Sequence, residues 1–240
     1  MAESVRENIA RVQERIADAC RRAGRRREQV RLVAVSKTVA AGVIREAYEA
    51  GLRDFGENRV QEASAKRGAL ADLDITWHLI GHLQTNKAKA ARELFHCVHS
   101  VDSSRVAERL GFNTPAKSFE FGQSGEPGRL KVLIEVNLGG EAAKSGIAEG
   151  GALELARAVT QLGGLDLCGL MLVPPYFEEA ERSRPLFSRL RELATVINSA
   201  GLPGLAMNQL SMGMSHDFEV AIEEGATLVR VGTAIFGSRS

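Results

Sequence analysis

The sequence predicts an α/β protein: a single closed (β/α)8 barrel of the TIM type with an additional helix at its N-terminus. Three observations predict it. From Arg31 onward, eight apolar, β-branched runs alternate with helix-like stretches. Several of those runs are apolar at nearly every position, as strands covered on both faces are. The length, 240 residues, is that of a chain in which such units close on themselves as one domain, 1–240. An open doubly wound sheet is the alternative, and the lack of a GxGxxG after the first strand counts against it.

The elements follow in order. Val5, Ile9, Val12, Ile16 and Ala19 step by four and three and so share one helical face. Ser4 with Glu7 has capping-box spacing at the start of that helix. The basic run Arg21 to Arg27 reads as its solvated C-terminal end. Strands are predicted at 31–35, 52–55, 75–80, 95–101, 130–136, 165–173, 205–209 and 227–231, and helices at 40–50, 58–70, 86–93, 103–110, 152–162, 177–199 and 215–224. Pro185 marks the start of a helix or a kink in one. Residues 111–129, with four glycines and two prolines, read as a surface loop.

Composition removes several classes of function. Thirty-one basic and 30 acidic residues leave a formal charge of +1, and aromatics are 5%. That is no bulk footprint for nucleic acid or an anionic membrane, and it offers few base-stacking surfaces. No run approaches a membrane span, and the N-terminus has no signal-peptide core. Cys20, Cys97 and Cys168 are odd in number and widely spaced, which suits a reduced, cytoplasmic protein. His78 and His82 straddle a strand end, and His96 and His99 point to opposite faces, so no metal site is expected. Cys97 and Cys168 read as core, and Met171, Met207, Met212 and Met214 as core or mouth filler.

Function in such a barrel gathers at the C-terminal ends of the strands. Lys37 directly follows the first strand, where low-dielectric walls disfavour its charged form and leave an amine able to attack a carbonyl. An ordinary lysine, its stem on apolar surface and its head in water, is the plainer alternative. The last two strand ends, at Ser211–Ser215 and Gly232–Thr233, carry hydroxyls and glycines that suit an anion, with a helix starting near Ser215. Arg230 lies between Val229 and Val231 and by alternation points inward, toward an acidic partner or a ligand. A phosphate and an aldehyde at opposite ends of one ligand describe pyridoxal 5′-phosphate. Against its ring nitrogen an arginine, always a donor, makes a weak electron sink.

Six blocks in one colinear order carry a resemblance: VAVSKT at 33–38, FGENRVQE at 55–62, WHLIGHLQTNK at 77–87, IEVNLGGEAAKSG at 134–146, LSMGMSHDFEVAI at 210–222 and VRVGTAIFG at 229–237. Together they resemble the YggS/PROSC family of pyridoxal phosphate-binding proteins. The resemblance implies a fold type III barrel like the N-terminal domain of alanine racemase, with the cofactor held as a Schiff base on Lys37. It implies that Ser211, Gly232 and Thr233 bind phosphate, that Arg230 faces the pyridine nitrogen, and that Asn58, His78 and Met207 lie near the ring. It implies a cofactor carrier or buffer in vitamin B6 and, indirectly, amino-acid homeostasis, without robust catalysis, with apo pyridoxal phosphate enzymes as acceptors and a monomeric or weakly dimeric state. The alternative is a small racemase-like enzyme. About ten residues follow the eighth strand, too few for a racemase's second domain, and neither Tyr48 nor Tyr176 is marked as a base.

Overall fold

Side chains along a strand alternate between two faces, and here both faces find cover. The computed structural model describes residues 4–111, 128–141 and 145–237. Among them the strands are β1 (Arg31–Val35), β2 (Asp54–Glu57), β3 (Thr76–Leu79), β4 (Cys97–Val101), β5 (Leu130–Asn137), the two-residue β6 (Ile147–Ala148), β7 (Leu165–Met171), β8 (Gln209–Met214) and β9 (Leu228–Val231). Every pairing is parallel. All strands but β6 join in one ring, closed by β4 on β5 at one seam and by β1 on β9 at the other. This is the predicted barrel, and β6 is a short addition that pairs with the end of β5.

The helices are α1 (Val5–Arg22), α2 (Ala41–Glu49), α3 (Val60–Ala69), α4 (Ala88–Leu94), α5 (Ser104–Gly111), α6 (Ala152–Thr160), α7 (Arg184–Ser199), α8 (Phe218–Glu223) and α9 (Thr233–Phe236). The predicted face of α1 is buried at Ile9, Val12, Ile16 and Ala19, and Ser4 and Glu7 form the capping box. Pro185 stands in the first turn of α7, where its missing N–H costs nothing. Outward residues of the strands, such as Leu32 and Ala34, Trp77 and Leu79, or Val229 and Val231, join the helices in one large core. Inward residues Val33, Cys97, Leu133, Met171 and Leu228 form a second cluster inside the ring.

Two elements correct the prediction. The strand expected at 205–209 lies at Gln209–Met214. Met207 instead belongs to the connection entering β8, where Asn198 Nδ2 donates to its carbonyl (2.8 Å) and Asn198 Oδ1 accepts from its N–H (3.0 Å). The apolar run was connection, and the serine- and glycine-bearing SMGM was strand. Gly213 makes that strand workable: its φ of +89° suits glycine, and a Cβ there would lie 2.6 Å from the Ala221 Cβ of α8. The second strand likewise sits two residues later than predicted, at Asp54–Glu57. Of the loop at 111–129, residues 112–127 lie outside the described residues, as does Lys144.

Candidate functional site at the C-terminal mouth of the barrel

β1 ends at Val35, and Lys37 lies two residues beyond it, in the turn that follows the strand. Lys37 and Thr38 line a recess of about 340 Å³ together with Val35, Gly232, Thr233 and Phe236. The amine and the β9 turn therefore share one mouth, as the sequence reading requires. Thr38 takes a left-handed φ of +64°, the one non-glycine residue among those described to do so. A buried network fixes that turn. Lys66 Nζ donates to the Ser36 carbonyl (2.7 Å), Glu57 Oε1 (2.8 Å) and Glu62 Oε1 (2.9 Å). Glu62 accepts from the Thr38 N–H, and Ser36 Oγ donates to Glu57 Oε1 at 2.6 Å. Burial raises the Glu57 carboxyl above its ordinary range, against the pull of Lys66 and Ser36.

Across the mouth, the Ser215 hydroxyl accepts from the Gly232 N–H (3.2 Å) and the Ala234 N–H (3.4 Å). The Thr233 N–H and hydroxyl lie at the same turn. Gly232 packs close on β1, where a Cβ would come within 3.3 Å of the Val35 Cβ and carbonyl oxygen. Asp217 shapes the preceding turn by accepting from the Met214 N–H at 2.7 Å. The turn brings together hydroxyls and backbone N–H groups of the kind that suit a phosphate.

Arg230 points inward as alternation predicts and is buried. Its Nη1 donates to Ser211 Oγ (2.6 Å) and its Nη2 to the Leu172 carbonyl (2.8 Å). Burial draws the guanidinium down to about 10, opposed by Asp217 and Glu135, so it stays charged at neutral pH. Glu135 lies on the inward face of β5. Burial and Asp102 push its carboxyl up to about 7, opposed by Arg230, and its Oε2 has no hydrogen-bond partner.

Asn58 follows β2 and lines a separate recess of about 560 Å³ with Gly81, His82 and Lys87. Three of the expected residues sit deeper than the mouth. Ser211 is a strand residue, fully buried, its hydroxyl spent on Arg230 and His99. His78 has both ring nitrogens engaged, by Asp54 and His99. Met207 enters β8 from the opposite face of the barrel. Ser211 and Met207 lie where they do because the strand runs Gln209–Met214 rather than 205–209, and His78 is a buried residue of β3. Ser215 is the hydroxyl the sequence reading underweighted; its position four residues after Ser211, before Asp217, was the available signal. The structure also gathers His78, Cys97 and His99, whose ligand-capable atoms lie within 4.8 Å of one another. The histidine nitrogens there are taken by hydrogen bonds, and burial holds the Cys97 thiol well above its ordinary range.

A lysine and a turn of hydroxyls and glycine at the C-terminal mouth of a parallel eight-stranded ring mark a class of barrel. The family model for the N-terminal domain of alanine racemase matches residues 4–240. The chain is 48% identical over 236 residues to the pyridoxal phosphate homeostasis protein of Pseudomonas aeruginosa, covering 98% of this chain and 96% of that one. It is 46% identical to the protein of the same name from Aquifex aeolicus, over 97% of each. PipY of Synechococcus elongatus, solved without and with pyridoxal phosphate bound, superposes with TM-scores of 0.82 and 0.80 at 39% identity, over 98% of this chain and all of PipY. The chain belongs to the pyridoxal phosphate homeostasis protein family.

Proposed function

We propose that this protein binds pyridoxal 5′-phosphate at the barrel mouth, through a Schiff base on Lys37, and serves vitamin B6 homeostasis without robust catalysis. The observation that carries the reading is that Lys37 and the Gly232–Thr233 turn line one recess. The fit is chemical as well as spatial. An amine, a cluster of neutral anion donors and a charged guanidinium match the aldehyde, phosphate and ring nitrogen of the ligand. A side chain at Gly232 would press on Val35 of β1 and disturb the turn beside Lys37. When bound, the cofactor supplies an aldehyde to which Nζ adds with loss of water, and an electron-withdrawing ring.

The chain's own residues set what can follow. Ser215, Thr233 and the backbone N–H groups around Gly232 hold the phosphate, and Asn58 borders the ring. Arg230, a permanent donor, keeps the ring nitrogen unprotonated and so weakens it as an electron sink. The neutral cradle binds by hydrogen bonds to a dianion rather than by ion pairs, which suits a ligand that must leave again for apo enzymes. A racemase-like activity needs a base held over the substrate in an enclosed site. Tyr176 is 80% exposed on the rim, against His216, and Tyr48 packs under Arg53 on the barrel's outside. No helix among the described residues is long and apolar enough to cross a membrane.

The test is direct. Protein loaded with pyridoxal phosphate, reduced with borohydride and digested, carries the label on Lys37, and Lys37→Ala loses both the label and the yellow colour. A label on another lysine overturns the assignment. Solvent-deuterium exchange at Cα of free amino acids at enzyme-like rates would move the protein to the racemase-like reading.

A further inference from the structure

Four hydrogen bonds run end to end through the barrel. Arg230 Nη1 meets Ser211 Oγ at 2.6 Å, Ser211 Oγ meets His99 Nδ1 at 2.9 Å, His99 Nε2 meets His78 Nδ1 at 2.9 Å, and His78 Nε2 meets Asp54 Oδ1 at 2.9 Å. The chain begins on β9, crosses β8, β4 and β3, and ends on β2. Its ends lie at opposite faces. Arg230 also holds the Leu172 carbonyl just beyond the C-terminal end of β7. Asp54 is the first residue of β2, at the N-terminal face, within 3.3 Å of Arg31. Ser211, His99, His78 and Arg230 are all buried.

The chemistry of the two ends gives the chain a direction. A guanidinium only donates and a carboxylate only accepts. Burial, with His78 and Arg230 nearby, holds His99 well below the ordinary histidine range, so its ring is neutral and carries one proton. Where each ring carries one proton and Asp54 only accepts, one arrangement satisfies every bond. Arg230 donates to Ser211, Ser211 to His99 Nδ1, His99 Nε2–H to His78 Nδ1, and His78 Nε2–H to Asp54. Reversing it puts a proton on the carboxylate and leaves the serine hydroxyl hydrogen without an acceptor.

We propose that Ser211, His99, His78 and Asp54 form a directional relay that positions Arg230, so that Asp54 on the far face of the barrel sets how the guanidinium meets the ligand at the mouth. The relay rests on the reading of Arg230 as the partner of the cofactor's ring nitrogen. Its physical role is competitive. Glu135 presents an unpartnered, buried carboxylate oxygen and is one of two acids that act electrostatically on Arg230, the other being Asp217. An unanchored guanidinium would turn to such an acceptor. The bond to Ser211, kept accepting because its proton is committed to His99, holds Arg230 in place.

Two measurements test the relay, one of them without cofactor. Long-range ¹⁵N–¹H correlation spectra of the ligand-free protein at neutral pH show His78 and His99 both neutral and both protonated at Nε2. A proton on Nδ1 of either ring, or an imidazolium, overturns the proposal whatever Lys37 does. In the second, His99→Leu breaks the chain while His99→Gln preserves its direction, because the amide oxygen accepts from Ser211 and the amide N–H donates to His78. His99→Leu weakens pyridoxal phosphate binding about tenfold, the scale of one buried charge-assisted hydrogen bond, and His99→Gln stays within about threefold of the parent. Should His99→Leu fail to fold, Ser211→Ala takes its place. Equal loss in the glutamine and the interrupting variant, or no loss in either, overturns the positioning role. Borohydride labelling of Lys37 in the same variants separates that result from a failure of the site assignment.

Discussion

The inside of the barrel is filled in two ways, and the contrast explains what each part is for. On one side Val33, Cys97, Leu133, Met171 and Leu228 pack as an apolar cluster. On the other, Asp54, His78, His99, Ser211 and Arg230 occupy the same kind of inward position as a hydrogen-bonded chain. The apolar cluster needs only shape and volume, and repacking tolerates exchanges that keep the total volume. The polar chain needs every member, because a buried donor or acceptor left alone costs about 1–3 kcal/mol. Fully satisfied, it holds a charge where hydrophobic packing would leave none. The fold spends its apolar residues on stability and its polar ones on aiming Arg230.

The comparison can be broken from either side. Leu133→Ala has the largest expected effect, a loss of about 2–5 kcal/mol in urea unfolding, because the closed ring collapses poorly around a cavity. The binding of pyridoxal phosphate by the folded fraction stays near that of the parent. A loss under about 1 kcal/mol would show the cluster to be loosely packed.

Glu135, beside the polar chain, gives a pH signature. Its carboxyl moves from 4.5 to about 7 on folding, so the folded chain binds that proton more tightly. The stability this confers is complete below the ordinary carboxyl range and is lost as pH rises through about 7. Relative to the parent, Glu135→Gln therefore gains stability as pH rises between those limits, by roughly 3 kcal/mol in total. A pH-independent difference between the two proteins would refute the shift.

The smallest effect sharpens the boundary between the two fillings. Cys97 sits against the histidines but belongs to the apolar cluster. Cys97→Ala costs about 1 kcal/mol of stability, the usual toll of a small core truncation. It leaves the nitrogen spectra of His78 and His99 unchanged. Altered tautomers in that variant would enrol the thiol in the polar chain.

Much of the architecture was legible in residue order. The alternation after Arg31 fixed the number of barrel strands, the spacing of α1 fixed its buried face, and Val229-Arg230-Val231 set Arg230 facing inward. Lys37 and the Gly232–Thr233 turn fell on one mouth as expected. What failed was local: LAMNQ at 205–209 looked more like strand than QLSMGM, because a serine and a glycine depress apolarity in a strand whose inward face is polar. That misplacement carried Ser211 to the mouth and hid Ser215.

Sequence alone determined the closed ring, the inward arginine and the amine at the end of β1, since periodicity and strand order are properties of the chain itself. Only the tertiary structure decided which inward side chains meet. His78, His99, Ser211 and Arg230 come from four strands, and their contact depends on the relative stagger of β3, β4, β8 and β9. Stagger is set by ring closure and by the shift in pairing between Ser211 and Met214. No local pattern encodes it, because each strand is indifferent to its neighbour's register until the barrel shuts.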